Sequence, residues 1–115
     1  MNFIENDVLL KAKRIAAELE ILIDPVLHKK AASNLRYINK TFSKLDELNA
    51  KSILSFSKHT VVICFAKLIK LFPLVFHDLG ESCPRTVVKS YSQWASWLAF
   101  ELSSHSAKQQ HRILE

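Results

Sequence analysis

The feature that most constrains this chain is an apolar stretch at residues 51–79 that contains no glycine. At about 100° per residue, its apolar side chains cover most of a helix circumference. The polar remainder is one narrow strip, made up of Ser55, His59, Lys67, Lys70 and His77. A helix that is apolar on nearly every side has to be enclosed by other elements. The stretch therefore predicts the central helix of an all-α domain.

The composition supports the same fold class. The chain has 115 residues, of which 49% are hydrophobic, with one glycine and three prolines. So little glycine argues against tight β-hairpins and favours helices joined by short connections. The length suits one domain over residues 1–115.

Hydrophobic periodicity predicts helices at residues 3–23, 25–48, 51–79 and 84–114. Asp24 and Pro25 are typical of a helix start, with Asp as the cap and Pro at the first helical position. Leu27 then begins the core stripe of the second helix. Gly80 is placed to end the third helix. The prediction is an up-down bundle of four helices, or five if Pro73 breaks the third.

The sequence predicts no cofactor, metal site or membrane insertion. Cys64 is expected in the core and Cys83 in a connection, without the paired spacing of zinc ligands. The N-terminal residues lack the basic character of a signal peptide. The apolar run at 60–76 is interrupted by Lys67, Lys70 and Pro73 and is short for a bilayer. A cytoplasmic protein is the resulting prediction.

Candidates for catalysis are few. Glu101 and His105 are spaced as two ligands on one helix face, which is too few for a metal site. Cys83 and His77 form the one nucleophile–base pair that the sequence offers. A single glycine excludes a glycine-rich phosphate loop. We predict a non-enzymatic protein.

Basic residues predict a surface for an anionic partner. The formal net charge is +5 and the isoelectric point is about 9.4, which favours acidic protein surfaces or nucleic acid as partners. The predicted site combines one face of the second helix with the strip on the third: Lys29, Lys30, Arg36, Tyr37, Lys40, Lys44, Lys67 and Lys70. A solvated helix face is the alternative interpretation.

Surplus apolar residues predict a second surface. Leu10 and Ile21 lie on a second stripe of the first helix, and Trp97 and Phe100 fall outside the core face of the fourth. Either these residues pack together within one chain, or they form a homodimer or partner interface. The functional prediction is a small protein-interaction module, such as a regulator, inhibitor, adaptor or subunit of a complex. The alternative is a helical bundle that binds nucleic acid without sequence preference.

Overall fold

The computed structural model describes the backbone at residues 6–50 and 58–114 and the side chains at 7–48 and 60–100. Over that part of the chain it contains four α-helices and no strand: α1 (Asn6–Leu22), α2 (Lys29–Ala50), α3 (Lys58–Leu79) and α4 (Arg85–Leu114). The all-α four-helix prediction is confirmed. Residues 3–5 of the predicted first helix and 51–57 of the predicted third lie outside the described residues.

The connection between α1 and α2 corrects one predicted boundary. Pro25 and Leu27 belong to a turn, and α2 begins at Lys29. The Asp24 carboxylate accepts backbone hydrogen bonds from Val26 at 2.9 Å and from Leu27 at 3.5 Å, and so holds a turn in place of a helix start. Leu27 is 75% exposed, so its predicted core position was wrong.

Pro73 lies inside α3 without breaking it, and the alternative of five helices is therefore not adopted. Proline has no backbone N–H, so the carbonyl of Ile69, four residues earlier, loses its usual helical donor. The Tyr91 hydroxyl from α4 donates to that carbonyl oxygen at 2.7 Å. The third helix ends at Leu79, and Gly80 follows it as predicted, with a φ of 54° in the left-handed region that glycine adopts without strain.

The helices pack as antiparallel neighbours. The most extensive contact joins α2 and α3, and α1 packs against α2 and α4. Phe72, Phe76, Tyr91 and Trp94 form an aromatic cluster between α3 and α4, with ring centroids 5.2–6.3 Å apart. The Trp94 indole also donates to the buried Val8 carbonyl at 2.9 Å, which ties α4 to α1.

The buried face of α3 agrees with the wide apolar face that helical spacing predicts for this stretch, which includes positions 61, 64, 65, 68, 72, 75 and 79. Its buried residues are Val61, Cys64, Phe65, Leu68, Phe72, Val75 and Leu79. The carboxylate of Asp78, near the end of the same helix, accepts the backbone N–H of Ala31 at 2.7 Å. Asp78 thereby satisfies one of the free donors in the first turn of α2 and fixes the register of the two helices.

Candidate binding cleft between α2 and α3

Lysine side chains from two helices converge on one cleft of about 470 Å³ between α2 and α3. The lining residues are Tyr37, Lys40, Thr41 and Lys44 from α2 and Cys64, Lys67, Lys70 and Leu71 from α3. Five of the eight residues predicted for an anionic partner are therefore brought together: Tyr37, Lys40, Lys44, Lys67 and Lys70.

The helical repeat explains how each wall is built. On α2, positions 37, 40, 41 and 44 follow steps of three and four residues and so share one face. On α3, positions 64, 67 and 71 do the same. The two faces meet because α2 and α3 are antiparallel and because Asp78 holds their register at Ala31.

The cleft concentrates positive charge beside apolar surface. Lys40 Nζ lies 5.6 Å from the centroid of the Tyr37 ring. Lys44 Nζ lies 3.9 Å from Oε2 of Glu47, a distance at which the carboxylate offsets its charge weakly. The Cys64 thiol, 5% exposed, lies at the inner side of the cleft. Burial raises the pKa of the Cys64 thiol, although nearby Lys67 and Lys44 oppose part of the rise.

The other three basic residues of the predicted site lie outside this cleft. Lys29, Lys30 and Arg36 are exposed on α2. Lys30 precedes Tyr37 by two helical turns on the same side of the helix. Lys29, Arg36 and Lys40 follow one another at spacings of seven and four residues. They form a row along the outer edge of α2.

The residues predicted for a protein interface do not form one surface. Leu10 and Ile21 are 48% and 86% exposed, on the face of α1 opposite its buried side chains. Trp97 is half-buried, and Lys11 Nζ lies 5.5 Å from its ring centroid. Phe100 is 67% exposed. The antiparallel helices α1 and α4 are in contact at Val8 and Trp94. Ile21 and Phe100 lie on opposite sides of that contact, so they are separated by roughly 30 Å along the bundle.

Two exposed apolar residues beside the cleft were missed from the sequence. Ile63 and Leu74 are 40% and 45% exposed on α3. They occupy the same strip as Lys67 and Lys70, in the order Ile63, Lys67, Lys70, Leu74, with steps of four, three and four residues. The polar strip predicted on the third helix contains these two aliphatic residues among its charged ones. Their exposure could therefore have been predicted from the sequence.

The described residues offer little that is typical of a catalytic or metal site. They contain no group of three or more His, Cys, Asp or Glu side chains placed to hold a metal ion. Cys83 is half-buried, and burial raises the pKa of its thiol, which keeps the thiol in its less reactive protonated form. The side chains of Glu101 and His105 lie outside the described residues.

One described segment, Thr60–Ser82, is long and apolar enough to cross a membrane by length and composition, with a mean hydropathy of 1.8. The core helix of a bundle passes the same test. Only 33% of the most apolar 18-residue stretch within this segment is buried. Part of the apolar surface of α3 is therefore exposed, and it includes Ile63 and Leu74 beside the cleft.

Comparison of the chain with protein-family models, with curated proteins and with solved structures finds no match.

Proposed function

We propose that this protein is a non-enzymatic interaction module that binds an acidic segment of a partner protein in the cleft between α2 and α3. The observation that carries the proposal is the convergence of Lys40, Lys44, Lys67 and Lys70 on one concave surface. A regulator, inhibitor, adaptor or subunit of a larger complex would act in this way.

Electrostatics supports an anionic occupant. Four ammonium groups around one cleft repel one another, and carboxylates from a partner would remove that repulsion. Each exposed ion pair contributes at most about 1 kcal/mol, so several pairs and additional apolar contact are required for useful affinity. Tyr37 and Leu71 supply apolar surface within the same cleft.

Nucleic acid is the second candidate, supported by a different observation. Lys29, Arg36 and Lys40 form a row on the outer edge of α2, and such a row can follow a phosphate backbone. The row is convex and lies mostly outside the cleft. Lys40 belongs to both surfaces, whereas Lys29 and Arg36 belong only to the row and Lys67 and Lys70 only to the cleft.

Two double variants that change the net charge equally separate these functions. K67E with K70E alters the cleft, and K29E with R36E alters the outer row. The probes are a labelled poly-glutamate peptide and a labelled DNA duplex, with binding followed by fluorescence anisotropy at low salt and again near physiological salt. Screening is stronger at physiological salt, where the Debye length is about 8 Å.

The proposal predicts that the cleft variant loses peptide affinity by about tenfold or more, while the outer-row variant retains most of it. Peptide binding that falls equally in both variants would contradict a role for the cleft. DNA binding that the outer-row variant abolishes, without specific peptide binding, would support the nucleic-acid function instead. If neither probe binds at low salt, both proposals are rejected.

A further inference from the structure

The exposed side of α3 next to the cleft carries a regular row of four residues. Ile63, Lys67, Lys70 and Leu74 follow one another at steps of four, three and four. These steps keep all four on one face of the helix. Two lysines thus lie between two aliphatic side chains that are 40% and 45% exposed and about 16 Å apart along the helix axis.

The facing wall on α2 has an aromatic residue at one end and lysines beyond it. The antiparallel packing sets Tyr37, which is 55% exposed, toward the Leu71 and Leu74 end of α3. Lys44 lies toward the other end, where its charge acts on the Cys64 thiol. The cleft and the row on α3 together form a longer groove. This groove has positive charge in its middle, Tyr37 and Leu74 at one end, and Ile63 at the other.

We infer that the occupant of this groove is an acidic amphipathic helix of a partner protein, an inference that rests on the proposed function. Its carboxylates face the four lysines, and its apolar residues, about eleven positions apart, contact Ile63 at one end and Leu74 with Tyr37 at the other. A groove between two antiparallel helices accepts the ridge of a third helix. Insertion of an amphipathic helix into such a groove is a recurring mode of peptide recognition.

The occupant comes from another protein because none of the four helices that the structure describes has the required charge. Counted over their full spans, α1 is neutral and α2, α3 and α4 each carry more basic than acidic residues. A second copy would therefore bring a neutral or positive helix to a groove lined by lysines. Charge complementarity favours an acidic helix from a different chain.

Two synthetic peptides of about 18 residues test the inference. Each peptide has two anchor positions, the second lying eleven residues after the first. Glutamates lie four and seven residues after the first anchor. One peptide has leucine at both anchors and the other has alanine. The leucine peptide is expected to bind roughly tenfold more tightly or better, with a gain of helical circular dichroism on binding.

Variants of the groove complete the experiment. I63S and L74S are each expected to weaken the leucine peptide toward the affinity of the alanine peptide and to leave the alanine peptide unaffected. V62S is the matched control, because Val62 is 43% exposed on α3 but does not share the face of the row. This control variant is expected to bind both peptides as the wild type does.

The possible outcomes separate this inference from the proposed function. Equal binding of both peptides, lost in the K67E, K70E variant, would overturn the anchored helix and retain an acidic partner in the cleft. Binding of neither peptide and no binding of poly-glutamate would overturn both. Preferential binding to vesicles of phosphatidylcholine with phosphatidylglycerol, weakened by I63S and L74S, would assign the groove to a lipid surface and reject the peptide.

Discussion

Tyr91 donates its hydroxyl hydrogen to the backbone carbonyl oxygen of Ile69, at 2.7 Å across the contact between α4 and α3. Pro73 leaves this carbonyl without its helical donor, since the N–H that would reach it is missing. A side chain 22 positions away in sequence replaces the lost bond, and α3 passes through Pro73 as one helix. The helix and its neighbour are therefore stabilised jointly at this point.

Replacement of Tyr91 by phenylalanine is expected to lower the free energy of unfolding by about 1–2 kcal/mol, because the part-buried Ile69 carbonyl loses its partner. Urea denaturation followed by circular dichroism measures this change. The matched control is Y37F, at a tyrosine that is 55% exposed, and its free energy of unfolding should stay near that of the wild type. Equal effects of the two substitutions would exclude a special role for the Tyr91 hydroxyl.

The same bond can be tested through Pro73. In the Y91F background, P73A supplies the backbone N–H that proline lacks, so the Ile69 carbonyl regains a helical donor. The double variant is expected to recover much of the stability lost in Y91F. A double-mutant cycle measures the coupling between the two positions. Strictly additive effects would show that the two residues do not share this carbonyl.

The stability contributed by Tyr91 is expected to fall at alkaline pH. Burial raises the pKa of Tyr91 above its ordinary value, so the folded protein keeps the phenolic proton longer than the unfolded chain does. The unfolded state then binds fewer protons above about pH 10, and stability decreases as pH rises. The difference in unfolding free energy between wild type and Y91F should be largest below that pH and smaller near pH 11. A difference that does not change with pH would contradict this expectation.

Asp78 is expected to stabilise the start of α2 from the far end of α3. Its carboxylate accepts the Ala31 N–H at 2.7 Å, so D78A should lower the free energy of unfolding by about 0.5–2 kcal/mol, as for a lost helix cap. D78N keeps an acceptor oxygen and should lose less. Thermal and urea unfolding of both variants make the comparison. If D78A is as stable as the wild type, the contact does not contribute to folding.

Self-association through the surplus apolar residues stays a prediction with a direct test. Ile21 and Phe100 are 86% and 67% exposed, so glutamate at either position leaves the core intact. If these residues form a homodimer contact, the wild type should sediment above its 13.2 kDa chain mass and I21E with F100E should return to it. V88E on α4 is the control substitution. A wild type that is monomeric at all concentrations would reject the homodimer.

The start of α2, which was predicted wrongly, and the continuity of α3 through Pro73, which was left open, both depend on contacts beyond neighbouring residues. Asp24 and Pro25 are compatible with a helix start, yet the same carboxylate also holds a turn through the N–H groups of Val26 and Leu27. A contact from α3 resolves this choice, because Asp78 supplies the acceptor at Ala31. Pro73 was expected to be able to break α3, and the donor that compensates for it comes from α4. In both cases the deciding group is distant in sequence.

The sequence alone determined the all-α class and the buried face of α3, because periodicity and turn residues act over a few neighbouring positions. It also contained the two half-sites of the cleft, as Lys40 with Lys44 and as Lys67 with Lys70. Only the tertiary structure decided that these pairs face each other, that Leu74 and Tyr37 lie at one end of the groove, and that Ile21 and Phe100 lie far apart. These relationships depend on the register of packed antiparallel helices, which is set by the fit of side chains remote from one another in the chain.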